Sequence, residues 1–208
     1  MRGYSVGAGY FSSYLLQDRL TDISGVISCS PFFTEKNINV VDSLKEKLKK
    51  THLNHEVYYR FITGDSLTDT KEYLLMKSAL SGESVDHFNS KGTEYYFADH
   101  YLTPGLSVMP SLFDMFEYWN VEVRNIHNND SLSFTTSDYA IFTDKIQHHY
   151  DDKLGIGLAE LRSIGYKFFN KKRYDAAIET WQIMMKEFPT FPESYVDIGR
   201  AYKKKAKL

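Results

Sequence analysis

Cysteine is nearly absent: Cys29 is the single one in 208 residues, so an intrachain disulfide and a multi-cysteine metal site are both excluded. Nor does any apolar run reach the roughly eighteen residues that a membrane-spanning helix requires. Positive charge is not in surplus, since 25 Lys and Arg against 27 Asp and Glu give a net charge of −2. Nucleic acid and an anionic membrane surface both require clustered positive charge, so neither is expected as a partner. Lys203, Lys204, Lys205 and Lys207 do cluster, but they read as the solvated, dipole-compensating end of a helix. No secretory leader precedes the first motif, and the compartment is left open because the sequence reads as starting inside a domain.

What is present is a globular composition, 42% hydrophobic and 15% aromatic, enough for one ordinary core plus a small second one. A turn at Ser5 opens a small-residue helix through Ala8 and Gly9, with Tyr10, Phe11, Tyr14 and Leu15 on one face. Ile23–Cys29 is short, β-branched and stopped by Pro31, as a buried parallel strand would be. A charged helix over Val40–Lys50 follows, with Val41, Leu44 and Leu48 inward. Val57–Thr63 reads as the next strand, ending at Gly64-Asp65, and a helix carrying Tyr73, Leu74 and Leu80 comes after it. Glu94–Ala98 reads as a third strand ending at Asp99-His100; the helix after Pro104 places Met109, Leu112, Phe113 and Phe116 at i, i+3, i+4 and i+7. This alternation predicts an α/β fold with a parallel sheet and right-handed crossovers.

From Val121 to Thr136 the pattern fades into Asn, Ser and Asp. The expected division is therefore an α/β domain over 1–120, a linker over 121–142 and an all-α region over 143–208 that starts with a bridging helix near Thr143–Lys153. Within that last region Leu161, Ile164, Gly165 and Phe168 recur with a period of 34 residues as Tyr195, Ile198, Gly199 and Tyr202, with Ala177, Trp181 and Pro189 between them. This is the spacing of a tetratricopeptide helical hairpin, here one unit and the first helix of another. Such units stack in threes or more, so the hairpin is expected to lean on its neighbour.

Gly3-Tyr4-Ser5-Val6-Gly7 reads G-x-S-x-G, a sharp strand-to-helix turn that lifts a serine hydroxyl out of a sheet. In a chain with 12 glycines the motif arises by chance, and a helix N-cap serine would look the same. Its position ahead of parallel strands, with an acid and then a base downstream, favours a nucleophile. Serine needs a base, and His100 stands in the loop after the third strand, where such a sheet presents one. The other histidines fit less well: His52 and His55 precede a strand, His87 lies in a polar connection, and His127, His148 and His149 lie beyond the sheet. The acid that orients the base is expected just after the preceding strand, which makes Asp65 the first candidate and Asp69 the second. Asp99 adjoins the base and points away from it along an extended segment. A metal reading of His148, His149, Asp151 and Asp152 is disfavoured, because adjacent helical residues point about 100° apart; no cofactor is expected.

With these residues in place, positions 3–119 resemble the esterase branch of the α/β-hydrolases that includes enterochelin esterases and S-formylglutathione hydrolase-like enzymes. Gly3-Tyr4-Ser5-Val6-Gly7-Ala8 is similar to that family's G-H-S-x-G-G elbow, with Tyr4 and Ala8 as departures. Phe97-Ala98-Asp99-His100, followed by Val108-Met109-Pro110-Ser111-Leu112, is similar to its histidine loop and last helix. Ile62-Thr63-Gly64-Asp65 matches the acid region less tightly. Residues 145–208 resemble a tetratricopeptide extension found in some members, including His149-Tyr150.

The resemblance implies a serine carboxylic-ester hydrolase with Ser5, His100 and Asp65 as triad and the Val6 amide in the oxyanion hole. Its partner would be a small-molecule ester, with a second, protein partner for the hairpin. It also implies that the strands before the elbow, and a second oxyanion amide from an earlier loop, lie outside this sequence. Loss of one such donor costs about 10²–10³ in turnover, so weak or absent turnover is expected of this chain alone. Ile23–Cys29 is expected to carry an unpaired edge that favours self-association. Two other readings stay open: a non-catalytic interaction module on a hydrolase remnant, and a peptidase on the same fold.

Overall fold

The computed structural model describes residues 2–16, 19–32, 46–64, 69–81, 85–129 and 133–207. The chain divides into two compact units, one of Met1–Glu117 with His149–Asp151 and the other of Tyr118–His148 with Asp152–Leu208.

The first unit is built on a four-stranded parallel sheet of order β1-β2-β3-β4, with β1 at Arg2–Tyr4, β2 at Gly25–Cys29, β3 at Val57–Gly64 and β4 at Phe88–Tyr95. Every residue of β2 and β3 is buried, because helices cover both faces of the sheet, as parallel pairing requires. On one face α1 (Val6–Leu16), the helical residues 46–50 and α2 (Asp69–Leu80) enclose a core of Val26, Leu48, Val57, Tyr59, Phe61, Tyr73 and Met76. On the other, α3 (Thr103–Met115) brings Val108, Leu112 and Met115 onto Ile27, Cys29 and Ile62. Alternate residues of β2 and β3 supply the two cores, which is the period-2 geometry of a strand.

Two polar devices fasten helices to this sheet. Under α1, the fully buried Ser12 hydroxyl donates to the Ala8 carbonyl oxygen at 2.8 Å and meets Ser28 Oγ at 2.9 Å and Tyr59 Oη at 2.7 Å. Burial pushes the Tyr59 phenol up to about 12, with the Ser12 and Ser28 hydroxyls opposing the rise. Under α3, the buried Arg60 in the middle of β3 donates to the Asn89 carbonyl oxygen at 2.6 Å and pairs with Asp114 of α3, which also takes Lys91 Nζ at 3.0 Å. A cation inside an all-buried strand is tolerated only with such a partner.

Several expectations are corrected. The expected unpaired edge of the second strand is largely filled, since Arg2–Tyr4 pair with Ile27–Cys29. The strand expected at Glu94–Ala98 lies at Phe88–Tyr95, in continuous register with β3; its alternation of half-buried and exposed residues gives it little apolar signal. Leu74 is exposed, and Met76 takes the inward place beside Tyr73. The face of α3 is rotated: of the expected stripe Leu112 packs on the sheet, but Met109 and Phe113 are 55% and 65% exposed, whereas Thr103, Ser107 and Ser111 are buried. Small hydroxyl residues let the helix approach the sheet closely, with Ser107 Oγ 3.1 Å from Cys29 Sγ. Val41 and Leu44 lie outside the described residues.

The stretch read as a linker over 121–142 is largely helical, within α4 (Glu117–Asn128) and α5 (Thr136–Tyr150). The second unit continues with α6 (Leu158–Asn170), α7 (Tyr174–Glu187) and α8 (Glu193–Lys205). Leu161, Ile164, Gly165 and Phe168 form the buried face of α6, and Trp181 of α7 is fully buried. A Cβ on Gly165 would stand 2.1 Å from Trp181 Nε1, so only glycine fits there. The second copy of the pattern behaves differently, for Tyr195 and Tyr202 are exposed and α8 instead buries Ser194, Asp197 and Ala201. The Asp197 carboxylate accepts from Arg162 Nε at 2.9 Å and from Tyr166 Oη at 2.5 Å, which ties α8 to α6.

Burial raises the Asp114 carboxyl, but the hydrogen bond from Lys91 and the charge of Arg60 outweigh it and hold the group below the usual carboxylate range. A depressed folded value stabilises the fold above about pH 4, the unfolded carboxylate range, and that stabilisation is lost as pH falls through the folded value. Asp114→Asn is expected to lower stability at pH 7 by about 3 kcal/mol, the lower end for breaking a buried pair because Asp114 is partly exposed. Urea unfolding at pH 7 and pH 3 checks this: the difference between wild type and variant should narrow at the lower pH.

Candidate active site

β1 ends at Tyr4, α1 begins at Val6, and Ser5 alone turns the chain between them with φ 55°. A left-handed conformation costs a side-chain-bearing residue about 1–2 kcal/mol and persists where surrounding bonds over-determine it. Three such bonds are present: the Ser5 amide donates to the Cys29 carbonyl at 3.0 Å, and the Ser5 carbonyl accepts from Gly9 and Phe32 amides, both at 3.1 Å. The Val6 amide belongs to the first turn of α1, where backbone N–H groups have no partner within the helix. A Cβ at Gly7 would meet nothing within 4 Å among the described residues, so close packing does not demand that glycine.

His100 lies in the loop between β4 and α3. Its ring centroid is 4.7 Å from that of Tyr4, the residue before Ser5, and 5.8 Å from that of Tyr101, edge-on. The loop is held locally by Asp99: its carbonyl accepts from the Thr103 hydroxyl at 2.7 Å, and its carboxylate accepts from the Leu102 amide at 2.8 Å. Asp99 thus serves the start of α3. β3 closes on the same loop, because a Cβ on Gly64 would stand 2.2 Å from the Ala98 carbonyl oxygen and 2.5 Å from Thr103 Oγ1. The residue preceding Asp65 therefore packs two positions upstream of His100. Asp65 itself lies outside the described residues, and so does the side chain of Asp69, the first residue of α2.

The elbow, the end of β3 and the histidine loop meet at the carboxyl ends of parallel strands, where open α/β sheets place their sites. Other histidines are engaged elsewhere: His149 Nε2 lies 2.7 Å from Tyr58 Oη, His87 Nδ1 3.1 Å from Glu56, and His127 Nε2 3.1 Å from Ser163 Oγ. In the sequence Tyr4 stands only as a departure from a motif. Its ring is the described neighbour of His100 that leads directly to Ser5, and its place one residue before the elbow was the available signal. A cavity of about 330 Å³ in the second unit, lined by Glu122, Phe134, Phe142 and Lys145 among others, involves neither Ser5 nor His100.

No family model matches the chain, and no curated protein matches it. Among solved structures it is similar to an IroE-like serine hydrolase from Shewanella oneidensis, with a TM-score of 0.59 and 10% identity over 90% of this chain and 58% of that one. It is also similar to an uncharacterised protein from Capnocytophaga ochracea, with a TM-score of 0.60 and 11% identity over 98% of this chain and 60% of that one. The chain therefore spans less than two thirds of either structure's length. At such identities the likeness establishes the fold: an α/β architecture shared with a serine hydrolase.

If Ser5 is held left-handed against its preference, glycine at that position relieves the strain. Ser5→Gly is expected to be neutral or stabilising by up to about 1 kcal/mol, and Ser5→Val destabilising by more than that. Thermal unfolding of the two variants beside wild type checks the sign of each.

Proposed function

We propose that the chain carries the chemistry of a serine carboxylic-ester hydrolase. The observation that carries the reading is Ser5, alone and left-handed between a parallel strand and a helix, with the His100 ring against the adjacent Tyr4. In this reading an unprotonated nitrogen of His100 takes the Ser5 proton as Oγ attacks the ester carbonyl carbon. The Val6 amide faces the oxyanion, and collapse expels the alcohol, which leaves with the proton from His100. Water, deprotonated in turn by His100, then adds to the acyl carbon, and collapse breaks the acyl–Oγ bond as His100 returns the proton to Ser5 and the acid is freed. Asp65, with Asp69 as the alternative, holds the imidazole in one tautomer. The fold shared with an IroE-like serine hydrolase supports this assignment, and the short spacing between Gly64 and the histidine loop makes an acid after β3 a reasonable orienter.

A second reading rests on the second unit. The repeat that packs Gly165 against Trp181 has tetratricopeptide spacing, and the exposed Tyr195, Val196 and Tyr202 of α8 would then serve a protein partner. On that reading Ser5 is not activated.

Hydrolysis of short p-nitrophenyl esters separates the two. Weak ester cleavage that falls to background in both Ser5→Ala and His100→Ala is the expected result. Cleavage that survives Ser5→Ala, or a wild type that neither cleaves esters nor takes a fluorophosphonate label on Ser5, favours the interaction module, and cleavage of p-nitroanilides in place of esters would point to a peptidase.

A further inference from the structure

The elbow has a strained neighbour. Ser30 follows β2 with φ 46°, and since Tyr4 pairs with Cys29, the next residue on each of two adjacent parallel strands is a left-handed serine. Ser30 lies between the two residues of its segment that bond to Ser5, namely Cys29, whose carbonyl accepts the Ser5 amide, and Phe32, whose amide donates to the Ser5 carbonyl. Its own amide donates to the Ile62 carbonyl at 2.7 Å, which fixes it to β3. The side chain is fully buried, and its hydroxyl has no hydrogen-bond partner among the described residues. The hydroxyl therefore does not hold the conformation; the flanking backbone bonds do. A positive φ and an unpaired buried hydroxyl at one residue are two costs that a fold retains where geometry is over-determined, and such costs gather at functional sites.

We propose that Ser30 is a positioning residue for Ser5. Its left-handed backbone turns the chain after β2 back over the elbow, so that Cys29 and Phe32 hold the Ser5 peptide units from both sides and fix the direction of Oγ. An extended residue 30 would carry Phe32 away and remove one of the three bonds on Ser5. The catalytic consequence rests on the esterase reading, whereas the clamp is a statement about the backbone and stands apart from it.

The test uses four variants of the full chain. Ser30→Gly and Ser30→Ala remove the hydroxyl and tolerate the turn as well as serine does; Ser30→Thr keeps a hydroxyl but adds the β-branch that opposes positive φ, and Ser30→Val does the same without a hydroxyl. Amide exchange at Ser5 and Phe32 is read by NMR against Val26 and Tyr59 as internal references, together with kcat and KM on p-nitrophenyl acetate. Glycine and alanine are expected to keep both amides protected and kcat within about twofold of wild type. Threonine and valine are expected to speed exchange at Ser5 and Phe32 by about tenfold or more, leave the references unchanged, and lower kcat with KM little altered. Loss of protection in the alanine variant, or full protection in the threonine variant, overturns the proposal. If wild type neither hydrolyses ester nor takes a fluorophosphonate label on Ser5 the esterase reading fails, yet the exchange pattern alone still decides the clamp.

Discussion

A single residue in left-handed conformation, joining a parallel strand directly to a helix, is the constraint on which the rest of the first unit depends. Ser5 cannot relax into a helical or extended conformation without pulling β1 from β2 or α1 from the sheet. Backbone bonds to Cys29, Gly9 and Phe32 leave it no alternative. The exposed end of a strand is ordinarily a place of loose chain. Here the bonds that hold the sheet together also fix the backbone of Ser5, and the stability of the fold and the geometry of the candidate site become one property.

The remaining architecture keeps that arrangement rigid. β2 and β3 are buried along their whole length, so the sheet cannot slip by one residue without exchanging its two cores. Ser12, Ser28 and Tyr59 seat α1 on the sheet by hydroxyl contacts, and Arg60 with Asp114 seats α3 by charge. α3 begins at the histidine loop. Anything that lets α3 slide therefore shifts His100 relative to Tyr4, and the Arg60–Asp114 ion pair matters to the loop for that reason. His149 and Tyr150 reinforce the same strand: the Tyr58 and Tyr150 rings stack at 6.2 Å, and the Tyr150 hydroxyl donates to the Met115 carbonyl. Burial, with help from Tyr150 and Glu56, pushes the Tyr58 phenol well above its ordinary range, which keeps it neutral in that contact.

Local chemistry made much of this legible in the sequence. G-x-S-x-G announces a turn because its glycines permit the sharp reversal, and Val57–Thr63 announces a strand because all but Arg60 are aromatic or β-branched. Where the reading failed, long-range packing had overridden local signal. β4 is recruited by its ladder with β3 despite Asn89, Ser90 and Lys91, and its Gly92 is required because a Cβ would stand 2.6 Å from the Phe61 ring. α3 has a clear apolar stripe, yet of it only Leu112 packs on the core while the hydroxyl stripe beside it is buried, since close approach to Cys29 needs small side chains more than large ones. The polar run after Val121 reads as linker, but α4 and α5 need only a few anchors, such as Val123, Phe142 and Ile146, to be ordered. At the candidate site, Ser5 and His100 are visible as residue types in order, while the place of Tyr4 is not, because a ring tilted against an imidazole leaves no mark on spacing.

The central claim is that Ser5 is an activated nucleophile, and covalent labelling tests it most directly. The chain is treated with a fluorophosphonate at neutral pH and the modified peptide is mapped by mass spectrometry. The account predicts one adduct, on Ser5, that disappears in His100→Ala while the variant stays folded. No adduct on Ser5, or adducts spread over exposed serines and tyrosines without regard to His100, would contradict it.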